Sequence, residues 1–282
     1  MKRLIGVLFC INILLISNSF AQQDSVILYK WIPKAVAGLN ISQLSLSNWS
    51  QGGDNSLTWT LIGTGGLKYA TEDWGFTNDI KITYGRTKLG SDDFKTNDNE
   101  LYLESVLSRN VGWDISPYFS NTLRTALTGG YNYDVAPKVE IANFFDPGYL
   151  TQSLGFIYNK VTGFETRLGF AVQEIITNKF TQYSDNTETP KIEKLKVETG
   201  LESVSTAEYT VAENVLLKSK LRLFSQFKSL DVWDVRWDNT IAAKVNDYLN
   251  VNFTFLLVYE KAQTPKTQIK EGLQLGLVYS IL

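Results

Sequence analysis

Apolar and polar residues alternate with a period of two along most of this chain. In the stretch 249–259, LNVNFTFLLVY, every odd position is apolar or aromatic, and positions 250, 252 and 254 are Asn, Asn and Thr. This is the pattern of a strand with one apolar and one polar face. The stretch 194–211 keeps its phase over most of its length. Soluble strands usually run for about 5–6 residues, whereas a tilted membrane strand needs about 9–11.

About twelve such segments follow one another, at 36–49, 57–70, 75–87, 99–109, 113–128, 149–158, 163–177, 194–211, 215–227, 232–245, 249–260 and 268–282. Short turns such as 159–162 alternate with longer connections such as 129–148, which are rich in Gly, Asp, Asn and Thr. Aromatic residues cluster at segment ends, for example Trp31, Trp74 and Tyr279. A soluble sandwich would also alternate, but long strands, aromatic girdles and alternating connection lengths are typical of outer-membrane barrels. We therefore predict an all-β fold, a closed antiparallel up-and-down transmembrane β-barrel of about twelve strands.

The first 21 residues differ from the rest. Two basic residues are followed by an apolar run from Leu4 to Ile16 and a small-x-small site at Ser19-Phe20-Ala21, the pattern of a secretory signal peptide. The run is shorter than the ~20 residues of a spanning helix. We predict a cleaved signal peptide at 1–21, a periplasmic lead-in at 22–34 and the barrel at 35–282, in the bacterial outer membrane.

Composition removes several kinds of chemistry. The chain has no His, and its one Cys, Cys10, lies in the predicted signal peptide. This excludes Ser-His catalysis and His- or Cys-ligated metals in the mature chain. Loss of Lys2 and Arg3 from 27 basic residues leaves 25 against 29 acidic ones, which argues against nucleic-acid binding. We predict that the protein is not an enzyme and has no cofactor and no metal site.

The polar face of the strands holds the candidate functional residues. The lumen-lining candidates are Lys194, Lys196, Glu198, Glu202, Lys218, Lys220, Arg222, Asp234, Arg236 and Asp238. The alternation also places Glu100, Glu104, Arg124 and Arg167 on this face. Two interpretations stay open: an ion-paired network that fills a narrow interior, or the lining of a water-filled path. In the second, Lys218, Lys220 and Arg222, extended by Lys194 and Lys196, would form a basic ladder that attracts anions.

Four stretches carry a family resemblance: SLSNWSQGGDNS, KTNDNELYLES, YFSNTLRTALTGGYNYD and IANFFDPGYL. They resemble an uncharacterised family of Bacteroidetes outer-membrane proteins of unknown function, over most of the mature chain. The family motif falls on Asn48, Trp49, Gly52, Gly53, Asn55 and Ser56. The resemblance implies an outer-membrane barrel and no assigned substrate. Gly52, Gly53 and Asn55 also suit a hairpin tip in water.

The functional expectation is an outer-membrane barrel, either a narrow passive channel for small polar solutes or a plugged barrel. The alternative is a structural or accessory subunit of a larger outer-membrane assembly with no transport activity. The expected partners are outer-membrane lipid, a small polar solute and an envelope protein, and no nucleic acid is expected.

Overall fold

The computed structural model describes residues 27–48, 50, 52–261, 264 and 266–282. The predicted signal peptide and residues 22–26 of the predicted lead-in lie outside these residues. In the described part, strands account for nearly all regular structure, with two short 3₁₀ turns at Thr181–Tyr183 and Phe227–Ser229. Within the same ranges, no helix has the length and apolar character needed to cross a membrane.

Fourteen strands are formed by the described residues. They are β1 (Ile32–Leu44), β2 (Ser56–Ala70), β3 (Trp74–Leu89), β4 (Lys95–Arg109), β5 (Ser116–Thr125), β6 (Gly130–Asn132), β7 (Val139–Ala142), β8 (Gly148–Val161), β9 (Phe164–Ile176), β10 (Leu195–Ala212), β11 (Val215–Gln226), β12 (Asp234–Lys244), β13 (Leu249–Tyr259) and β14 (Gln268–Ser280). The long ones reach 18 residues in β10, which suits a tilted spanning strand.

Twelve of these strands close into an antiparallel barrel in the order β1-β14-β13-β12-β11-β10-β9-β8-β5-β4-β3-β2. β14 returns to β1 through the register Val36↔Ser280 to Ile41↔Leu275, so the sheet has no free edge. β5 pairs directly with β8, and the short strands β6 and β7 form a separate hairpin in the connection between them. The predicted closed up-and-down barrel of about twelve strands is confirmed.

The two ends of the barrel differ in their connections. At one end, here called the short-turn end, β8 meets β9 and β10 meets β11 through two residues each, at 162–163 and 213–214. At the other end, the long-loop end, the connections at 126–147 and 177–194 are the longest. Both chain ends of the barrel, at β1 and β14, lie at the short-turn end. The predicted alternation of short and long connections is present with one exception, because the connection 110–115 at the short-turn end is longer than 90–94 at the long-loop end.

The two faces of the wall have opposite chemistry. Outward-pointing Leu154, Phe170 and Leu273 are 61%, 66% and 65% exposed, whereas the inward-pointing Glu104 and Arg167 are buried. Aromatic pairs mark both ends of the outer face. Trp31 and Tyr69 have ring centroids 4.6 Å apart at the short-turn end, and Trp59 and Tyr84 lie 5.9 Å apart near the long-loop end.

The structure corrects two details of the sequence prediction. β1 runs over Ile32–Leu44, earlier than the predicted segment 36–49, and residues 32–34 pair with Gly66–Lys68 of β2 instead of belonging to the lead-in. The connection predicted at 129–148 contains the β6–β7 hairpin. The first strand was misplaced because the Asn48 segment continues the alternation into the loop, although its backbone leaves the sheet after Leu44.

Candidate functional site

The centre of the lumen is crossed by an ion-paired group around Glu104 on β4. One carboxylate oxygen of Glu104 accepts a short hydrogen bond from Nη2 of Arg167 on β9. The other lies 2.5 Å from Nζ of Lys220 on β11, which also donates to the Tyr102 hydroxyl at 2.9 Å. β4 and β11 are five places apart in the ring of twelve strands, so Lys220 reaches from one wall to the opposite one.

A second bridge crosses the barrel beside the first. Arg236 on β12 donates from Nη2 to Oε2 of Glu100 on β4 at 2.9 Å. These two strands are six places apart in the ring, which is the largest separation that twelve strands allow. The Nε of Arg236 binds Asp238 on its own strand, also at 2.9 Å. The side chains of Arg236 and Glu100 therefore span the full width of the lumen.

A third group lines the wall formed by β9, β10 and β11. Arg222 donates from Nε to Glu202 at 2.7 Å and from Nη2 to the Gln173 carbonyl oxygen at 2.9 Å. The amide nitrogen of Gln173 donates to Oε2 of Glu198 at 3.0 Å. Lys196 Nζ lies 2.6 Å from the other oxygen of Glu198. Two cations and two carboxylates thus alternate along a continuous chain of contacts.

The remaining lumen candidates lie nearer the ends of the barrel. Lys218 pairs with Glu208 at 2.9 Å towards the short-turn end, where both side chains are exposed. Lys194 precedes β10 and donates to Asn178 Oδ1 at 2.8 Å at the long-loop end. Asp234 lines a cavity of about 20 Å³ together with Arg124 and Glu260. The structure therefore does not bring all ten candidates into one group.

The basic ladder of the sequence prediction is not a free positive strip. Lys196, Lys218, Lys220 and Arg222 each face a carboxylate within 3 Å, and Lys194 lies outside the barrel wall. Opposite charges at that distance cancel most of the field that would attract an anion. The geometry favours the ion-paired interior over an anion-attracting path.

Small residues on the inner face allow this packing. Gly155 and Gly169 are direct cross-strand partners on β8 and β9, and a Cβ added at Gly169 would lie 2.7 Å from the hydroxyl of Tyr118. The Tyr118 side chain therefore lies over Gly169, where no side chain obstructs it. Its hydroxyl hydrogen-bonds to Ser153 Oγ at 2.8 Å, and the residue is 2% exposed.

On the side of the lumen formed by β13, β14 and β1, two amides meet, whereas the lumen is open towards the short-turn end. Asn252 on β13 donates to Asn40 on β1 at 3.0 Å, and the two amides pass over Gly276 of the intervening β14. Towards the short-turn end, Thr64, Lys68 and Asp79 are exposed on the inner face. Water therefore enters the lumen from the short-turn end and meets the interlocked layer farther in.

Little free volume remains in the layer. A cavity of about 40 Å³ lies among Tyr102, Glu104, Arg124, Arg167 and Lys220, with further inner-face residues around it. One water needs about 10–15 Å³ of a volume measured in this way, so this space accommodates a few waters. In the described part of the chain, no group of three or more acidic, His or Cys side chains is arranged to hold a metal ion.

Two connections at the long-loop end are fastened to one another. The carboxylate of Asp146 accepts backbone N–H groups from Asn178, Lys179 and Phe180 at 2.9, 2.7 and 3.4 Å. This joins the connection after β5 to the connection after β9. Within the latter loop, hydrogen bonds from Thr189 and from the Asn186 N–H lower the pKa of the Glu193 carboxyl.

The loop with the family motif forms the first hairpin tip. Asn48, Gly52 and Gly53 have positive φ angles of 53°, 81° and 111°, which explains two glycines and an asparagine there. Asn55 Oδ1 accepts the Leu46 N–H at 2.6 Å, and Ser56 begins β2. Trp49 lies outside the described residues.

The sequence candidates omitted three neutral residues of the lumen layer, Tyr102, Gln173 and Tyr118. Tyr102 stands between Glu100 and Glu104 at the same parity on β4, so the alternation contained a signal for its position. Gln173 joins Arg222 to Glu198 through its amide, and no local sequence pattern predicts that role.

The comparisons with known proteins give one family match. The model of a family described as "Protein of unknown function (DUF3078)" matches residues 41–131. This segment contains the SLSNWSQGGDNS and KTNDNELYLES stretches but not IANFFDPGYL. It is shorter than the similarity expected over most of the mature chain, and the expected bacterial group stays a prediction. Among curated proteins, none matches the chain.

Several solved structures are distantly similar to this chain. The translocator domain of the autotransporter NalP from Neisseria meningitidis has a TM-score of 0.38 and 12% identity, over 99% of this chain and 95% of that chain. An outer membrane channel from Pseudomonas putida F1 has a TM-score of 0.41 and 13% identity, over 93% and 99%. The β domain of the Bordetella autotransporter BrkA has a TM-score of 0.32 and 10% identity, over 88% and 98%.

Proposed function

We propose that this protein is an outer-membrane β-barrel whose lumen is closed by its own ion-paired side chains. The observation that carries the proposal is the pair of bridges from opposite walls, Lys220 to Glu104 and Arg236 to Glu100. In this state the barrel serves as a plugged structural or accessory element of the outer membrane and does not conduct solutes.

The membrane location is supported by the inverted distribution of polarity. Large apolar side chains cover the outside of a wall whose inside carries the buried charges, and soluble proteins rarely expose apolar patches of that extent. A closed barrel also pairs the backbone groups of the wall, which hydrocarbon requires. The aromatic pairs at both ends of the outer face suit the two membrane interfaces.

The closure is supported by the arrangement of the charges. Glu104 holds two cations from two different strands, and both Glu104 and Arg167 are almost inaccessible to water. Paired, hydrogen-bonded ions of this kind keep a fixed geometry because removing either partner leaves a buried unpaired charge. An open path would require several of these contacts to break together.

The location is tested first, by separating inner and outer membranes and by comparing heated and unheated samples on denaturing gels. We expect the full chain in the outer membrane, with a compact form that migrates faster until it is heated. Recovery from the soluble periplasm would contradict the proposal.

The closure is tested by conductance in planar bilayers. We expect the purified wild-type barrel to be silent. A variant with Glu104→Ala, Lys220→Ala, Glu100→Ala and Arg236→Ala removes both bridges at constant net charge and should show stepwise conductance. The control, Lys244→Ala with Asp247→Ala, removes an exposed pair at a short turn and should stay silent. Steady conductance of the wild type would refute a closed lumen and favour the narrow channel.

A further inference from the structure

Four polar residues form a continuous row across the outer face of the wall. The register joins Asn78 of β3 to Ser105 of β4, Ser105 to Asn121 of β5, and Asn121 to Gln152 of β8. We call these four residues the polar row. They have the opposite parity to the lumen residues of the same strands, so they point outward.

The polar row lies inside the apolar belt and not at its edge. The next outward-pointing row towards the long-loop end contains Leu103, Leu123 and Leu150. The next one towards the short-turn end contains Leu107, Phe119 and Leu154. Because apolar rows lie on both sides, the amides are at a depth where lipid would surround them.

The row does not satisfy its own hydrogen-bonding groups. Asn78 donates to Ser105 Oγ at 2.6 Å, and Gln152 donates to Asn121 Oδ1 at a long 3.4 Å. Among the described residues, no partner is found for the amide N–H groups of Asn121 or the carbonyl oxygen of Gln152. Asn121 is exposed. Polar groups without partners are costly in hydrocarbon.

Several other outward-pointing polar groups on the wall already have hydrogen-bond partners or are covered by neighbouring side chains. Thr166 and Ser205 hydrogen-bond to each other at 2.9 Å, and Trp237 Nε1 donates to Ser219 at 2.9 Å. Asn239 on β12 has an amide nitrogen without a partner, but neighbouring side chains cover that atom. Thr199 of β10 and Glu271 of β14 are also exposed on the outer face, but each lies opposite an apolar residue of a neighbouring strand. The polar row therefore differs in joining exposed, unsatisfied amides across four neighbouring strands.

We propose that the polar row is the contact through which two copies of this chain pair in the membrane. The row offers both free donors, on Asn121, and a free acceptor, on Gln152, so it is complementary to itself. A two-fold symmetric interface uses the same patch on both copies and can satisfy such a set. Amide and hydroxyl side chains join membrane-embedded segments in the same way.

The geometry fixes where the copies touch. Both barrels must have the same orientation in the membrane, so their symmetry axis runs along the membrane normal. Two convex walls then meet along a narrow strip, and Asn121 and Gln152, which must reach each other's counterpart, lie in that strip. This inference rests on the proposed membrane location.

Disulfide crosslinking in native membranes tests the pairing. In a Cys10→Ser background, Phe119→Cys places a thiol beside the polar row. The matched control Phe253→Cys places one on β13, six strands away on the opposite wall. Both phenylalanines are outward-pointing and exposed. Mild oxidation should convert the Phe119→Cys protein to a homodimer and leave the Phe253→Cys protein monomeric.

A second variant separates a specific contact from chance collision. This variant adds Asn121→Leu and Gln152→Leu to Phe119→Cys. It removes the two amides and leaves an apolar outer surface in contact with lipid. We expect at least a tenfold slower crosslinking rate, with the folded barrel still visible as the unheated gel form. An unchanged rate, equal crosslinking at Phe253→Cys, or crosslinking to a different protein would overturn pairing through this row. A membrane-bound barrel that stays monomeric would overturn this inference alone, whereas absence from the membrane fraction would overturn the proposed function as well.

Discussion

Replacement of Glu104 by Gln is the sharpest perturbation of the lumen layer. The Glu104 carboxylate holds Arg167 and Lys220 at once, and its side chain is 7% exposed while that of Arg167 is 4% exposed. Glu104→Gln keeps the size of the side chain and removes its charge. The two cations then lie in the lumen without a carboxylate between them, and one of them meets an amide NH₂ group where it had an oxygen.

The magnitude follows from burial and distance. Two unit charges 4 Å apart interact by about 4 kcal/mol at an effective dielectric constant near 20, and removing one partner of a buried pair costs roughly 3–5 kcal/mol. We therefore expect Glu104→Gln to lower the free energy of unfolding by about 3–5 kcal/mol. The control Glu208→Gln makes the same chemical change to a pair whose side chains are 53% and 44% exposed, and exposed pairs contribute about 1 kcal/mol or less.

The assay is urea unfolding of the purified barrel in lipid vesicles, followed by tryptophan fluorescence, with reversibility checked by refolding. Lys220→Met should fall between the two variants because Glu104 then keeps Arg167. If Glu104→Gln were no more destabilising than Glu208→Gln, the Glu104 group would not be a buried ion cluster. That result would also contradict a lumen closed by ion pairs.

Three further predictions concern the loops and the wall. Asp146→Asn weakens the acceptor for three backbone N–H groups. It should speed proteolysis of the loops at the long-loop end several-fold when intact cells are treated with protease, without changing barrel assembly. Gly169→Ala places a Cβ against the Tyr118 hydroxyl and should lower the yield of folded barrel, whereas Gly63→Ala, with its nearest neighbour 4.0 Å away, should assemble normally. Because hydrogen bonding depresses the pKa of Glu193, the loop gains stability above the pKa of a free glutamate and loses it as the pH falls through the lower folded value. Glu193→Gln should therefore increase trypsin cleavage at neutral pH, and Glu188→Gln, an exposed control in the same loop, should not.

The barrel could be predicted from the sequence because a closed sheet has two faces and a period of two. Residues 249–259 show this directly, and the alternation of short and long connections then fixes which ends lie together. Strand limits were less predictable, since polar alternation continues past Leu44 although the backbone turns away. The β6–β7 hairpin was missed because strands of three and four residues are too short to show a period.

The face of each lumen residue was predictable, but its partner was not. Lys220 and Glu104 are 116 residues apart, and Arg236 and Glu100 are 136 apart. Which side chains meet across a barrel depends on strand number and on the register of every intervening pair. Lys220, which the sequence places in a basic ladder along one strand, is therefore neutralised by a carboxylate on a strand of the far wall.

The closure is concentrated on one strand. Four residues of the same parity on β4, Asp98, Glu100, Tyr102 and Glu104, bind side chains on other strands, and Asp98 pairs with Lys270 of β14 at 2.8 Å. The matched family segment, residues 41–131, contains all four. Their basic partners lie beyond residue 131.

A relative that shares the acidic strand but lacks the later cations would carry unpaired carboxylates in its lumen, which burial disfavours. If the layer closes the barrel, the acids of β4 and the bases of β9, β11, β12 and β14 should therefore be retained or lost together. An alignment of full-length relatives would measure this. Frequent relatives with acidic β4 residues and apolar residues at the positions of Arg167, Lys220 and Arg236 would show that the bridges are not a common means of closure.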